Sequence, residues 1–353
     1  MDKETGVIAM KSIKNKTLKK WILVFLLVLL VAFIPTPYYL YQPGPIEDLQ
    51  PKVSVTDGYS YEDGSFSLTT VLSVKALNPY LLAYGLFAPH TDIVKEEEVK
   101  GNLTDREYSI LLDFMMKDSQ QNALVSAFKS ADEQVEIDYH GIFVQSILPD
   151  SPAKSILEIG DTITKMDGMK MKDVSSFISY IEDNKQEGDT ITLTIKRDNE
   201  KEFNKTVNLM LLDQETGKVG IGIVPEEDFT ATISRDVTFK SDDIGGPSAG
   251  LMFSLEIYNQ LTPDNLTKGY KIAGTGTIDH DGNVGQIGGI RHKITAAVKE
   301  GADIFFTPKD LQPIDQNEHD VIEEVKEQGY EIKVVPVATL DEAIDYLKNL
   351  KKI

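Results

Sequence analysis

The sequence predicts an α+β fold of about two globular units, preceded by one N-terminal transmembrane helix. Three observations point there. Fourteen apolar residues run unbroken from Trp21 to Ile34, behind a lysine-rich start. Further on, alternating runs such as Ile191, Leu193 and Ile195 are interleaved with helix-spaced runs such as Val174, Phe177, Ile178 and Ile181. The chain has 353 residues and a hydrophobic fraction of 41%, enough for packed cores rather than wholesale disorder.

Charge and composition exclude several functions. Against 36 Lys plus Arg stand 56 Asp plus Glu, a formal net charge of −20. Such a surface repels phosphate backbones, so no nucleic-acid partner is expected. The absence of cysteine removes disulfides, thiolate nucleophiles, Cys-ligated zinc and iron–sulfur clusters. The five histidines are scattered without HExxH spacing, so no metal and no cofactor are expected. Any catalysis falls to hydroxyls, carboxylates, lysines or a lone histidine.

The N-terminal end divides the charge. Residues 1–20 hold six lysines against Asp2 and Glu4, leaving +4 there and −24 on the remainder. This is the expected cytoplasmic tail. Residues 21–41 form the expected span, long enough for a bilayer core of ~30 Å. Trp21 at one edge and Tyr38, Tyr39 and Tyr41 at the other suit the two membrane interfaces. The preceding lysines place the N-terminus in the cytoplasm and everything after the span outside. No small-x-small site follows the apolar run, so an uncleaved anchor is favoured over a signal peptide. Residues 42–52, with Pro43, Pro45 and Pro51, read as a stalk.

The elements beyond the stalk follow in order. Residues 53–136 begin with β-like runs, clearest from Phe66 to Val74 after the Asp63-Gly64 turn. Thr104-Asp-Arg-Glu107 matches a capping box, and Ile110, Leu111, Phe114, Met115, Leu124 and Phe128 follow at helical spacing as core positions. A smaller domain is expected over residues 137–212. It opens on His140-Gly-Ile-Phe-Val144 and continues through Ser151-Pro-Ala153, Gly160-Asp161 and Asp167-Gly168 to an amphipathic helix and an alternating strand.

That run resembles a PDZ domain of the bacterial-protease type. The resemblance assigns Gly141, Ile142, Phe143 and Val144 to the carboxylate-binding loop. It implies that an extended peptide binds as an added strand.

The richest stretch is Ser241-Asp-Asp-Ile-Gly-Gly-Pro-Ser-Ala-Gly-Leu251. Its glycines permit a tight turn into a helix, with Ser248 near the helix start. Backbone N–H groups around Gly245, Gly246 and Ala249 would face a developing oxyanion there. On its own, Ser248 is equally well explained as a helix cap. Asp242 and Asp243 stand close enough in sequence to tune it, and equally suit a solvated turn. Ile272 to Gly282 reads as strand, turn and return strand, with His280 at the tip. Gly288-Gly-Ile-Arg-His-Lys293 then leads into a helix ending at Gly301. A lysine in apolar company near a helix start loses hydration and tends toward the neutral amine. Lys293 so placed can serve as a base, although a lysine taken at random is a solvated surface group.

Together these stretches resemble the proteolytic domain of the Lon family. Gly246-Pro-Ser-Ala-Gly250 matches its nucleophile motif, and Gly288 to Ala297 matches its lysine motif with Lys293 in the catalytic place. Thr275-Gly276 matches a Thr-Gly whose hydroxyl supports that lysine. The resemblance implies a Lon-type proteolytic domain over residues 213–353, with residues 53–136 as its first part and the PDZ domain inserted between. It implies a Ser248–Lys293 dyad supported by Thr275. Related proteolytic domains form rings, so the resemblance admits an oligomer.

Lon proteases also carry an ATPase module, and no Gly-x-x-x-x-Gly-Lys-[Ser/Thr] loop occurs in this sequence. No ATP is therefore expected as a partner. An anchor, a PDZ domain and a Lon-type domain together resemble the membrane-anchored Lon-like peptidases of Gram-positive bacteria. That group includes a processor of a streptococcal competence pheromone. The expectation is a serine endopeptidase on the outer face of the cytoplasmic membrane, cleaving an exported peptide or protein. The alternatives are a non-catalytic PDZ scaffold, which needs neither Ser248 nor Lys293, and a quality-control peptidase making many cuts.

Overall fold

The computed structural model describes residues 4–198, 201–240 and 245–353. The chain divides into two compact units, Met1–Pro45 with Val71–Asn102, and Ile46–Thr70 with Leu103–Ile353.

In the first unit, helix α1 (Glu4–Val31) ends four residues before Pro35. Pro35 and Pro37 lack the amide donors that a helix needs and push the residues before them toward extended backbone. Strand β1 (Tyr38–Asp48) begins directly afterwards. Its register with β4 (Asp92–Lys95) is antiparallel, from Tyr38 opposite Lys95 to Tyr41 opposite Asp92. The expected span over 21–41 is thus corrected. The helix stops at Val31, and the tyrosines and most of the expected stalk form a strand. Among the described residues no helix is long and apolar enough to cross a membrane. Helix α2 (Pro79–Phe87) starts on Asn78, whose side chain accepts from the amides of Tyr80 and Leu81, with Pro79 in the first turn. Helix α3 (Glu96–Lys100) is one short acidic turn.

The second unit contains the candidate chemistry. Strands β2 (Val53–Val55) and β13 (Val237–Phe239) pair antiparallel. Strand β3 (Ser65–Lys75) leads a parallel set with β14 (Lys271–Gly274), β17 (Ile304–Pro308) and β18 (Lys333–Val337), in the order β18-β17-β14-β3. Helix α4 (Asp105–Ser130) opens on the expected capping box. Thr104 accepts from the Glu107 amide while the Glu107 carboxylate accepts from the Thr104 amide. It packs Leu124, Ala127 and Phe128 into one core with α6 (Gly250–Leu261), every residue of which is buried.

Between them lies an antiparallel sheet ordered β12-β5-β6-β8-β9. Its strands are β5 (Val135–Ile147), β6 (Thr162–Met166), β8 (Thr190–Lys196), β9 (Phe203–Asn208) and β12 (Ile223–Ile233), with β7 (Met169–Lys170) hairpinned onto β6. Helix α5 (Val174–Asn184) buries Phe177 and Ile181 in the same core as Ile142, Ile163, Ile191 and Leu193. The Gly160-Asp161 turn is fixed by Arg197, which grips the fully buried Asp161 carboxylate with two hydrogen bonds of 2.7 and 2.8 Å. Strands β10 (Met210–Asp213) and β11 (Lys218–Gly220) form a separate hairpin. The chain closes through hairpin β15 (Thr277–Ile278) and β16 (Val284–Gly285), α7 (Ile290–Lys299), α8 (Asn317–Gln328) and α9 (Leu340–Lys348).

Gly274, the last residue of β14, lets that strand lie close to its neighbours. A Cβ there would stand 2.6 Å from Met252 Sδ and 2.9 Å from Phe306 Cβ. Gly274→Ala should therefore destabilise the chain by about 1–3 kcal/mol through overpacking. Urea unfolding monitored by circular dichroism measures this, and an unchanged midpoint would show that the strand has slack.

Candidate active site

Four segments from distant parts of the sequence meet at Lys293. The short 3₁₀ turn Pro247–Ala249 presents Ser248, and Gly246 before it adopts φ +92°. That backbone conformation strains any side chain, so the Gly-Gly-Pro-Ser run is a conformational requirement of the turn. Ala249 is buried, Gly245 is exposed, and α6 starts at the next glycine. Thr275 directly follows the last residue of strand β14 and is fully buried. Helix α7 begins on Gly289, itself left-handed at φ 70°, and places Lys293 in its first turns with its side chain inward.

The contacts are short and specific. Lys293 Nζ lies 2.8 Å from Ser248 Oγ, 3.0 Å from Thr275 Oγ1 and 3.2 Å from the carbonyl oxygen of Thr69 on β3. Thr275 Oγ1 donates to the Ser248 carbonyl at 2.9 Å, and the Gly276 amide donates to the same oxygen at 3.0 Å. Thr69 Oγ1 donates to the Gly274 carbonyl at 3.1 Å. Every partner of the amine is a neutral oxygen. With Lys293 only 3% exposed, burial alone pushes its amine down to about 7.

These distances determine how protons are arranged. The Thr275 hydroxyl spends its hydrogen on the Ser248 carbonyl, so its oxygen can only accept from Lys293. The Thr69 carbonyl can also only accept. A neutral amine has two hydrogens for these two acceptors, which leaves its lone pair toward Ser248 Oγ.

The structure thus brings Ser248, Lys293 and Thr275 together, with Gly245, Gly246 and Ala249 in the turn around the hydroxyl. Asp242 and Asp243 lie outside the described residues. Thr69 carries no distinguishing signal in the sequence, where it is one of several hydroxyls in a β-like run.

The expected carboxylate-binding loop needs correction. Gly141 to Val144 lie inside β5, paired with β12 from Asp228 to Pro225 on one side. On the other side, Ile142 and Phe143 pair with β6, and the Val144 amide donates to Asp161. Backbone groups committed to two neighbours cannot receive a peptide. β12 is one of the two terminal strands of this sheet, β9 being the other, and Gly220-Ile-Gly222 leads into it with Gly222 at φ +72°. A Gly followed by an apolar strand marks both places equally in sequence. Only the strand order distinguishes them.

Comparison with known proteins finds two matching families. Residues 110–209 match the model of the PDZ domain, and residues 238–349 match that of the Lon protease (S16) C-terminal proteolytic domain. The Lon protease of Metamycoplasma arthritidis is 33% identical over 180 residues, 51% of this chain and 18% of that protease. The Lon protease of Mycoplasmopsis agalactiae is 35% identical over 107 residues, 30% of this chain and 10% of that protease. The chain therefore spans less than a fifth of these relatives. Among solved structures, the PDZ domain of an SdrC-like protein from Listeria monocytogenes is 36% identical. It covers 26% of this chain and 92% of that one, with a TM-score of 0.24. The chain thus carries a serine peptidase domain of the Lon type, joined to a PDZ domain.

Proposed function

We propose that the chain is a membrane-anchored endopeptidase that cleaves exported peptides or proteins without ATP. The observation that carries this reading is the 2.8 Å approach of Ser248 Oγ to a buried lysine whose partners are all uncharged. The neutral Lys293 amine takes the Ser248 proton as the oxygen attacks the scissile carbonyl. Amides of the Gly245–Ala249 turn hold the oxyanion. Lys293 then returns the proton to the leaving amine, and water repeats the sequence to release the acyl group. Thr275 and the Thr69 carbonyl keep the lone pair aimed. The edge of β12 is the place where an extended substrate segment adds to the PDZ sheet. An exported signalling peptide is the substrate that the resemblance to Gram-positive processors favours.

The membrane reading is supported by exposed apolar surface in the first unit. Helix α1 exposes Trp21, Phe25, Leu27 and Leu30, and α2 exposes Tyr84, Leu86 and Phe87, the last by 88%. The Tyr80 hydroxyl donates to the Val28 carbonyl and ties the two helices into one surface. Contiguous apolar area of this kind is covered in the working state. We assign a bilayer to it, with the apolar end of α1 inserted and α2 lying at the interface.

Three outcomes test these assignments. Labelling of Ser248 by a fluorophosphonate should fall about tenfold per pH unit well below 7 and level off above it, because only the neutral amine is competent. Ser248→Ala should abolish labelling, and Lys293→Arg should slow it by about 10³-fold or more, since a guanidinium does not deprotonate. Labelling of Lys293→Arg at the wild-type rate would sink the dyad.

Linkage gives the second outcome. The unfolded chain binds the Lys293 proton up to its ordinary 10.5, and the folded chain only to about 7. The folded state binds fewer protons across that window, so its stability rises with pH from about 7 toward 10.5. Lys293→Met should raise the melting temperature at pH 7, and a lower one would contradict the buried amine.

Third, full-length protein should float with phosphatidylglycerol-containing vesicles. A Leu86→Ser/Phe87→Ser variant should float less. Wild-type protein staying in the dense fraction would exclude the bilayer.

A further inference from the structure

A cavity of about 500 Å³ opens beside the nucleophile turn. Pro247, the residue before Ser248, forms part of its wall, and the Pro247 carbonyl accepts from Ser119 Oγ on α4 at 3.1 Å. The remaining wall comes from α4, Gln145 of β5, β12 and the β15–β16 hairpin. Phe114, Phe229 and Ile278 supply apolar surface, and Asp118, Glu226, Glu227 and Asp279 supply carboxylates, the last already accepting from the amides of Asp281 and Asn283.

The acids differ in how they are satisfied. Glu227 accepts from the Val174 amide at 3.2 Å and lies 4.0 Å from His280 Nδ1. Asp118 accepts only a neutral hydrogen bond from Asn122 at 2.9 Å, and Glu226 only a long one from the Glu227 amide at 3.4 Å. The nearby Lys117 is turned to Asp228, at 3.6 Å. Among the described residues, no lysine or arginine forms an ion pair with Asp118 or Glu226. Burial and then the Glu226 charge push Asp118 up to about 7, and burial likewise raises Glu226. Among the described residues no three His, Asp or Glu groups converge to hold a metal ion. A single organic cation on a long apolar stem matches both the acids and the aromatic wall.

We propose that this cavity receives a lysine or arginine side chain of the substrate next to the scissile bond. The stem lies against Phe114, Phe229 and Ile278, and the charge sits between Asp118 and Glu226. The chain is then selective for basic residues at the cut. The proposal rests on the reading of Ser248 as nucleophile, because that fixes the cavity beside the reacting carbonyl.

The test separates the two readings by using the full-length Ser248→Ala protein, which needs no turnover. Fluorescein-labelled Ala-Ala-Ala-Lys-Ala-Ala-Ala and its norleucine counterpart are titrated by anisotropy. The lysine peptide should bind at least about tenfold tighter. That preference should collapse toward unity with Asp118→Asn/Glu226→Gln or with Glu226→Gln alone. It should survive Glu300→Gln/Glu331→Gln, which removes equal charge from exposed positions of the same unit that do not line the cavity. Equal binding of the two peptides overturns the proposal, as does a preference that persists without Asp118 and Glu226. Either result leaves fluorophosphonate labelling of Ser248 as the independent measure of the peptidase reading.

Discussion

An amine buried away from solvent is the constraint on which this structure depends. Lys293 is useful as a base only while it is dehydrated, and dehydrating a lysine is costly unless its proton leaves. The fold meets that condition with three neutral oxygens at 2.8 to 3.2 Å and no carboxylate among them. A carboxylate in the same place would stabilise the ammonium and stop the chemistry. The choice of a threonine hydroxyl, a serine hydroxyl and a backbone carbonyl is therefore an electrostatic necessity.

The parallel strands explain how such partners arrive. Strand β3 delivers the Thr69 carbonyl, and β14, whose last pair sets Gly274 opposite Leu68, delivers Thr275 as the next residue. Helix α6 starts where the nucleophile turn ends, and α7 starts where its glycine N-cap allows Lys293 to point inward. The Ser248 carbonyl, held from both Thr275 and Gly276, joins the turn to the end of β14. No one of these elements is sufficient by itself, because each supplies a single atom to a site that needs several.

Much of this was legible in the sequence for a physical reason. Ser248, Thr275 and Lys293 lie in short runs whose glycines are dictated by backbone geometry, and such runs leave a local imprint. Thr69, Asp118 and Glu226 leave none, since each becomes functional only through residues far away along the chain. The misplaced PDZ loop has the same origin. A glycine before an apolar strand is a local signal, whereas an unpaired edge is a property of the whole sheet. At the N-terminus, hydropathy did not separate helix from strand. Pro35 and Pro37 turned an apolar, tyrosine-rich run into β1.

The uncharged surroundings of Lys293 have a consequence for salt. A shift owed to a neighbouring charge is weakened by mobile ions over a Debye length of about 8 Å at physiological ionic strength. A shift made by dehydration has no partner charge to screen. The proposed dyad should therefore keep its tuning as ionic strength rises, even on a chain of net charge −20.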